Sequence, residues 1–250
     1  MNKVYAKKYK KTQSKNLTIK LSIIIAIVFF ALFALLISPL FQIRQIDIVG
    51  NDIISEADVL SSAGLSLGIN IFSVSPNSIA HNISSMVYIR NANVVRHFPG
   101  LLTISLEERI PIAALRLNNL STYIIIDDLG MVLSSSTALP YSLPVVTGIE
   151  LTGFAVGNYL EIENNAVFGS IVFLSRILRR HDVPSLFIDF SDIQDIVIHT
   201  ENLEVFFGNT NNADRRAQQL AAIIEQIPRY GRGFIHIRDT DISPRFVPLR

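Results

Sequence analysis

The chain has 250 residues, 49% of them hydrophobic and 17% charged, with a formal net charge of +1. It contains no cysteine, which excludes disulfides, thiol redox chemistry and cysteine-ligated metals. All seven lysines lie before residue 21, and the remainder carries fifteen arginines against 21 acids, an acidic balance that disfavours nucleic acid as a partner.

Residues Leu21 to Phe41 form an apolar run interrupted only by Ser22, Ser38 and Pro39. As a helix it would extend roughly 31 Å, the thickness of a bilayer's hydrocarbon core, and it is expected to be a single transmembrane helix. The lysines ahead of it place residues 1–20 in the cytoplasm and everything after Phe41 outside. A cleavable signal peptide would share the basic start, but no small-x-small cleavage pattern ends this longer run. The basic stretch itself lacks acidic residues and apolar periodicity, and is expected to be a disordered tail lying against anionic headgroups.

About 209 residues follow the anchor, enough for one large domain or two smaller ones with real cores. Ile43 to Val49 reads as a strand closed by Gly50-Asn51. Ser55 with Glu56 and Asp58 opens a short helix ending near Gly64, and Ser75-Pro76 opens a second with Ile79, Ile83 and Met86 at helical spacing. Val87 to Arg96 and Leu102 to Glu107 are strands joined by Phe98-Pro99-Gly100, so the order to Glu108 is β-α-α-β-β. Strands are next expected at Ile112 to Leu117, Ser121 to Ile126 and Met131 to Leu133, with Asp127-Asp128-Leu129-Gly130 as a hairpin connection. After a short extended piece at Leu143 to Gly148, Asn164 to Arg180 is helical, with Phe168, Ile171, Val172, Ile177 and Leu178 on one face. Three strands near 185–189, 195–199 and 203–207 precede a helix capped by Thr210 or Asn212, with Ala217, Leu220, Ala221, Ile224 and Ile227 in register and Pro228 as its stop. Phe234 to Ile237 is the last strand; beyond it, Pro244 and Pro248 permit only an edge or an extended tail.

Enzymatic chemistry finds little footing. A penicillin-binding or signal-peptidase-like serine needs a neighbouring lysine, and none exists beyond residue 20. There is no G-x-S-x-G, and His81, His97, His181, His199 and His236 are too scattered for metal-ligand spacing. The acid pairs Glu107-Glu108 and Asp127-Asp128 put adjacent side chains on opposite faces, and the second is accounted for by turn chemistry. Gly231-Arg232-Gly233 is too short for a phosphate loop. No cofactor is implied. Binding remains as the available function: a last strand followed by proline-bearing sequence can lie at a sheet edge and accept a partner segment as a further strand.

The phrases Ile46-Asp47-Ile48-Val49-Gly50-Asn51, Phe98-Pro99-Gly100-Leu101-Leu102-Thr103-Ile104 and Glu108-Arg109-Ile110-Pro111-Ile112-Ala113 follow the anchor in order, with Ile126 to Leu133, Leu143-Pro144 and Gly148, and Ile235-His236-Ile237-Arg238 further on. In that order, behind a basic tail and one span, the chain resembles the FtsQ/DivIB family of bacterial cell-division proteins. The resemblance implies an α+β fold: a transmembrane helix at 21–41, a polypeptide-transport-associated (POTRA) domain at 42–110, and a mixed α/β "β domain" with a largely antiparallel sheet at 111–250. It implies a non-enzymatic divisome scaffold at the septal membrane that binds FtsB/DivIC-type and FtsL-type bitopic partners and helps govern septal wall synthesis. The alternative from another class is a POTRA-bearing chaperone of secretion or envelope assembly. The family's usual aspartate in its final Asp-Leu-Arg phrase is His236 here, so contacts resting on that carboxylate do not carry over.

The C-terminal region to which the resemblance points for the FtsB/DivIC contact coincides with the expected edge. The expected partner-binding residues are Phe234, Ile235, Ile237, Arg238, Asp239 and Phe246, with main-chain pairing supplying affinity and Arg238 meeting an acid on the partner. Strand alternation turns some of Phe234, Ile235 and Ile237 into the core. A second candidate edge lies at Arg44 to Val49 and Leu102 to Glu108.

Overall fold

The computed structural model describes residues 2–116, 122–139, 143–151, 153–160, 165–228, 231–238 and 244–249, with side chains from residue 19 onward. Its first element, α1 (Asn2–Ile37), runs unbroken through the basic stretch and into the apolar one. The expected disordered tail is thus helical at this point. Lysine and glutamine are good helix formers, and a stretch that continues an existing helix does not bear the cost of nucleation. The helix also stops at Ile37 instead of Phe41. Pro39 biases its predecessor away from helical geometry; Ser38 is extended, and its hydroxyl accepts from the Leu40 amide at 3.2 Å to cap a 3-10 turn at Pro39–Phe41. Ile19–Ile37 is long and apolar enough to cross a bilayer, and none of it is buried in the protein. At about 29 Å it fits a single-pass membrane anchor.

The chain divides into two compact units, Met1–Glu108 and Arg109–Arg250. In the first, β1 (Gln45–Val49), α2 (Glu56–Ala63), α3 (Pro76–Ser84), β2 (Ile89–His97) and β3 (Leu101–Glu108) keep the expected β-α-α-β-β order. Both short helices begin as their sequences dictate: the Ser55 hydroxyl accepts from the Asp58 amide at 3.2 Å, and that of Ser75 from Ser78 at 3.3 Å. Their apolar faces, Val59, Ile79 and Ile83, close over Ile89, Leu102 and Ile104 of the sheet. In that sheet β3 is central, parallel to β1 and antiparallel to β2. Leu102 to Glu108 is therefore not an edge, contrary to expectation; β1 and β2 are. The acids at the end of β3 have structural duties. Glu108 accepts the amides of Asp52, Ile53 and Ile54 at 3.0, 2.7 and 2.8 Å, and Glu107 faces Arg90 at 3.8 Å.

The second unit contains β4 (Pro111–Arg116), β5 (Tyr123–Asp127), β6 (Val132–Ser136), β7 (Val145–Thr147), α4 (Asn165–Arg180), β8 (Phe187–Asp189), β9 (Ile196–His199), β10 (Leu203–Gly208), α5 (Ala213–Gln226), β11 (Gly233–His236) and β12 (Arg245–Pro248). The strands form one sheet in the order β12-β11-β10-β9-β8-β7-β4-β5-β6. Five of its junctions are antiparallel and three parallel. Leu174 and Ile177 of α4 and Ala217 and Leu220 of α5 share a core with Ile188, Ile198, Val205, Ile235 and Ile237 of the sheet. Each such leucine, isoleucine or valine side chain stabilises the unit by roughly 1.5–3 kcal/mol.

Two local details differ from expectation. Asn212 does occupy the N-cap of α5, but in the left-handed region, and its side chain makes no cap hydrogen bond. At the β5–β6 turn, Asp127 is fully buried. Its carboxylate accepts from Leu129 and Met131 at 2.9 and 2.8 Å, as turn chemistry requires, and it also pairs with buried Arg109 at 2.8 Å. The β6 edge is flanked at its start by residues 157–160: Gly157 donates to Val132, Val132 to Asn158 and Leu160 to Gly130.

Candidate partner-binding edge

At the other end of the sheet, β11 is not the edge strand that its sequence position suggested. It lies between β10, to which it is parallel, and β12, to which it is antiparallel, so its backbone groups are engaged on both sides. The edge belongs to β12. Prolines lack an amide hydrogen and are tolerated in an edge strand where that amide would face outward.

Hydrogen-bond parity shows that this is how they are used. The Leu249 amide donates to the Arg232 carbonyl at 2.9 Å, and the register pairs Phe234 with Val247 and His236 with Arg245. Antiparallel alternation then turns the backbone groups of Arg245, Val247 and Leu249 toward β11 and those of Phe246 and Pro248 away from it. Pro244 continues the same alternation just before the strand. The outward edge offers carbonyls at Phe246 and Pro248 and one amide, that of Phe246. Among the described residues no strand pairs with it.

The close seating of β12 depends on a glycine. A Cβ on Gly233 would lie 2.3 Å from the Val247 carbonyl oxygen and 2.5 Å from the Phe246 ring. Phe246 turns inward and packs, half-buried, on the core beside its partner Ile235.

The expected site residues separate accordingly. Ile235 is fully buried and Ile237 is 2% exposed, so both are core side chains and cannot meet a partner directly. Phe234 lies on the opposite, open face of the sheet, beside Phe206 with ring centroids 6.1 Å apart. His236 is exposed on the same face and stacks on Phe206 at 4.8 Å. Arg238 is exposed but already paired: its guanidinium bonds Asp195 of this chain and lies 4.7 Å over the Phe206 ring, so an acid on a partner would have to displace Asp195. Asp239 lies outside the described residues. Arg245 and Val247, which sequence reasoning did not single out, are exposed on β12.

Arg216 was also missed. It is 1% exposed, and its guanidinium donates to the carbonyls of Phe207, Asn209, Asn211 and, at 3.3 Å, Arg238, while lying 4.7 Å over the Phe207 ring. Burial pushes its pKa below the ordinary value for arginine. It ties the exits of β10 and β11 together immediately before the chain leaves for β12. Its position on the inward face of α5, between Ala213 and Ala217, is the one sequence signal that could have marked it.

Elsewhere in this unit a cleft of about 630 Å³ is lined by Ile112, Ser175, Arg179, Asp182 and Glu201 among others, with no histidine or lysine beside Ser175. Among the described residues no three histidine, aspartate or glutamate side chains converge as a metal ion would require.

A POTRA domain model of FtsQ type matches residues 41–109, the stretch that folds as β1-α2-α3-β2-β3. Similarity to curated proteins extends well beyond it. The chain is 22% identical to a cell division protein DivIB of Clostridium tetani over 80% of its length and 77% of the relative's. It is 24% identical to the DivIB of Clostridium acetobutylicum over 74% of each chain, and 26% identical to a cell division protein FtsQ of Syntrophotalea carbinolica over 91% of its length and 80% of the relative's.

The chain is similar to FtsQ/DivIB cell-division proteins along most of its length. Its first unit contains a POTRA domain of FtsQ type, and its role lies in cell division. Relative to FtsQ/DivIB proteins the informative departure is His236. With Phe234 and Phe206 it makes the open sheet face beside β12 aromatic, where an aspartate would have placed a carboxylate.

Proposed function

We propose that this FtsQ/DivIB-like chain is a non-enzymatic scaffold of the division septum. Its N-terminus is cytoplasmic, its POTRA domain (42–110) and β domain (111–250) are extracytoplasmic, and it binds FtsB/DivIC-type and FtsL-type bitopic partners. Through them it helps to regulate septal peptidoglycan synthesis. The observation that carries this reading is the outward edge of β12, with which no strand pairs among the described residues and whose carbonyls at Phe246 and Pro248 and amide at Phe246 are available to an added strand. Arg245 and Val247 beside that edge, and Phe234 and His236 on the open face, supply side-chain selectivity.

The test is site-specific photocrosslinking in dividing cells, with the photoreactive residue at Val247 or Arg245 of the full chain. The expected product is a covalent adduct with the FtsB/DivIC-type partner, and a reporter at exposed Ser66 in the first unit should not give it. An adduct from Ser66 and none from β12 would overturn the edge assignment. Normal septation after depletion of the protein would overturn the divisome role itself.

A further inference from the structure

Three stretches of the first unit bring phenylalanines together at the end of α1. Phe41 follows the helix, Phe72 lies in the loop before α3, and Phe98 lies in the β2–β3 turn. Their ring centroids are 5.0 Å apart for Phe41 and Phe72, 5.1 Å for Phe72 and Phe98, and 6.4 Å for Phe41 and Phe98. Clustered aromatic rings ordinarily bury one another. Here Phe72 remains 42% and Phe98 58% exposed, with Leu40 at 47% and Leu67 at 63% nearby in the same segments.

The cluster is fastened to the anchor by direct hydrogen bonds. The Asn70 side-chain amide donates to the Leu36 carbonyl, inside the last turn of α1, at 2.7 Å. Ile71 donates to Phe41, Ile43 to Ile69 and Gly68 to Ile43, each at 2.8 Å. The β2–β3 turn is held as closely: Arg44 donates to the Gly100 carbonyl at 2.8 Å, and a Cβ on Gly100 would lie 2.4 Å from the Gln42 carbonyl oxygen. The height of Phe72 and Phe98 along the α1 axis is therefore fixed within the unit.

That height decides what covers the patch. When Ile19–Ile37 spans a bilayer, its last turn lies at the boundary between acyl chains and headgroups, and Asn70, bonded to Leu36, lies level with it. Exposed phenylalanine and leucine at that depth lower their free energy by entering the boundary region. Exposed Arg44, whose guanidinium reaches back to the Leu40 carbonyl at 3.3 Å, stands where a lipid phosphate would be.

We infer that Phe72, Phe98, Leu40 and Leu67 form a lipid-seating surface that inserts into the headgroup boundary of the extracytoplasmic leaflet and fixes the POTRA domain against the bilayer. This rests on the membrane-anchor reading above. The consequence is that β1 starts from the membrane in one orientation, so partners meet the domain at a defined height.

The chain contains no tryptophan, so a single introduced one reports alone. Full-length Phe98→Trp, Phe72→Trp and Leu67→Trp variants are reconstituted into phosphatidylethanolamine/phosphatidylglycerol vesicles in which some lipid is brominated near the top of the acyl chain. Ile53→Trp, exposed beyond the far end of β1, is the control. Blue-shifted emission that loses most of its intensity to the brominated lipid at residues 67, 72 and 98, with Ile53→Trp unaffected, is the expected result. Leu67 makes no ring contact in the trio, so its variant keeps the test open if an aromatic replacement disturbs packing. Unquenched reporters in a protein that resists alkaline extraction overturn the seating and leave the anchor standing. Release of the protein by alkali overturns both.

Discussion

Gly233→Ala tests the β12 edge most directly. The added methyl would lie 2.3 Å from the Val247 carbonyl oxygen, a backbone atom that moves only if the strand moves, and 2.5 Å from the Phe246 ring. Four residues of β12 order at about 1–2 kcal/mol each, and their interstrand hydrogen bonds return about 1 kcal/mol net apiece, so these contributions largely cancel. What holds the strand is the packing of Phe246 on the core, about 2 kcal/mol. Losing it should raise the detached population roughly thirtyfold, since 1.4 kcal/mol corresponds to a factor of ten. Residue-resolved amide hydrogen exchange reads this directly. Arg245 and Val247, whose amides face β11, should exchange roughly thirtyfold faster, while Ile198 and Val205 in the sheet interior keep their protection. The outward Phe246 amide should be unprotected already in the unaltered free protein and become protected when a strand is added. Unchanged exchange at Val247 in the variant, or a protected Phe246 amide in the free protein, would refute the parity on which the edge assignment depends.

Arg216→Met should destabilise the second unit by about 3 kcal/mol, because the four carbonyls it serves are left without that donor in a buried setting; the urea midpoint measures it, and a shift below a third of that would mean water replaces the guanidinium. Asp214 carries a pKa lowered from its ordinary 3.8, first by the hydrogen bond from His181 at 3.0 Å and further by the His181 and Arg180 charges. A depressed carboxylate pKa stabilises the fold fully above the unfolded value and loses that contribution as pH falls through the folded one. Asp214→Asn should therefore be the less stable protein at neutral pH, and its urea midpoint should converge with that of the unaltered chain in strong acid; parallel curves down to the lowest pH would refute the pairing.

The first unit was legible because its signals are local. Ser55 and Ser75 cap their helices through bonds to amides three residues on, Gly64 takes the left-handed C-cap, and Phe98-Pro99-Gly100 makes the turn between β2 and β3. In the second unit the strands up to β11 could be placed from apolar runs, but β12 could not. Pro244 and Pro248 left an edge strand and an extended tail both open so long as the direction of each missing amide was unknown, and that direction is set by pairing with β11. The same non-locality divided the expected site. Alternation requires one of Phe234 and Ile235 to face inward, but which one is decided by register with Val205, and it is Ile235. Arg216 read as one more polar residue on an amphipathic helix because the carbonyls it serves lie on β10, in the loop before α5 and just beyond β11, outside its own helix. Asp195 was invisible as the partner of Arg238 for that reason too.

The prolines of β12 also bear on which molecules can share its edge. Two copies of this chain meeting edge to edge around Phe246 would close one ring of two hydrogen bonds, and on either side would set a prolyl nitrogen without hydrogen against a carbonyl. A strand with an amide at every position would satisfy the Pro248 carbonyl as well. The asymmetry of donors and acceptors thus makes self-association the poorer bargain for the edge, and favours heterotypic over homotypic pairing before any side chain is consulted.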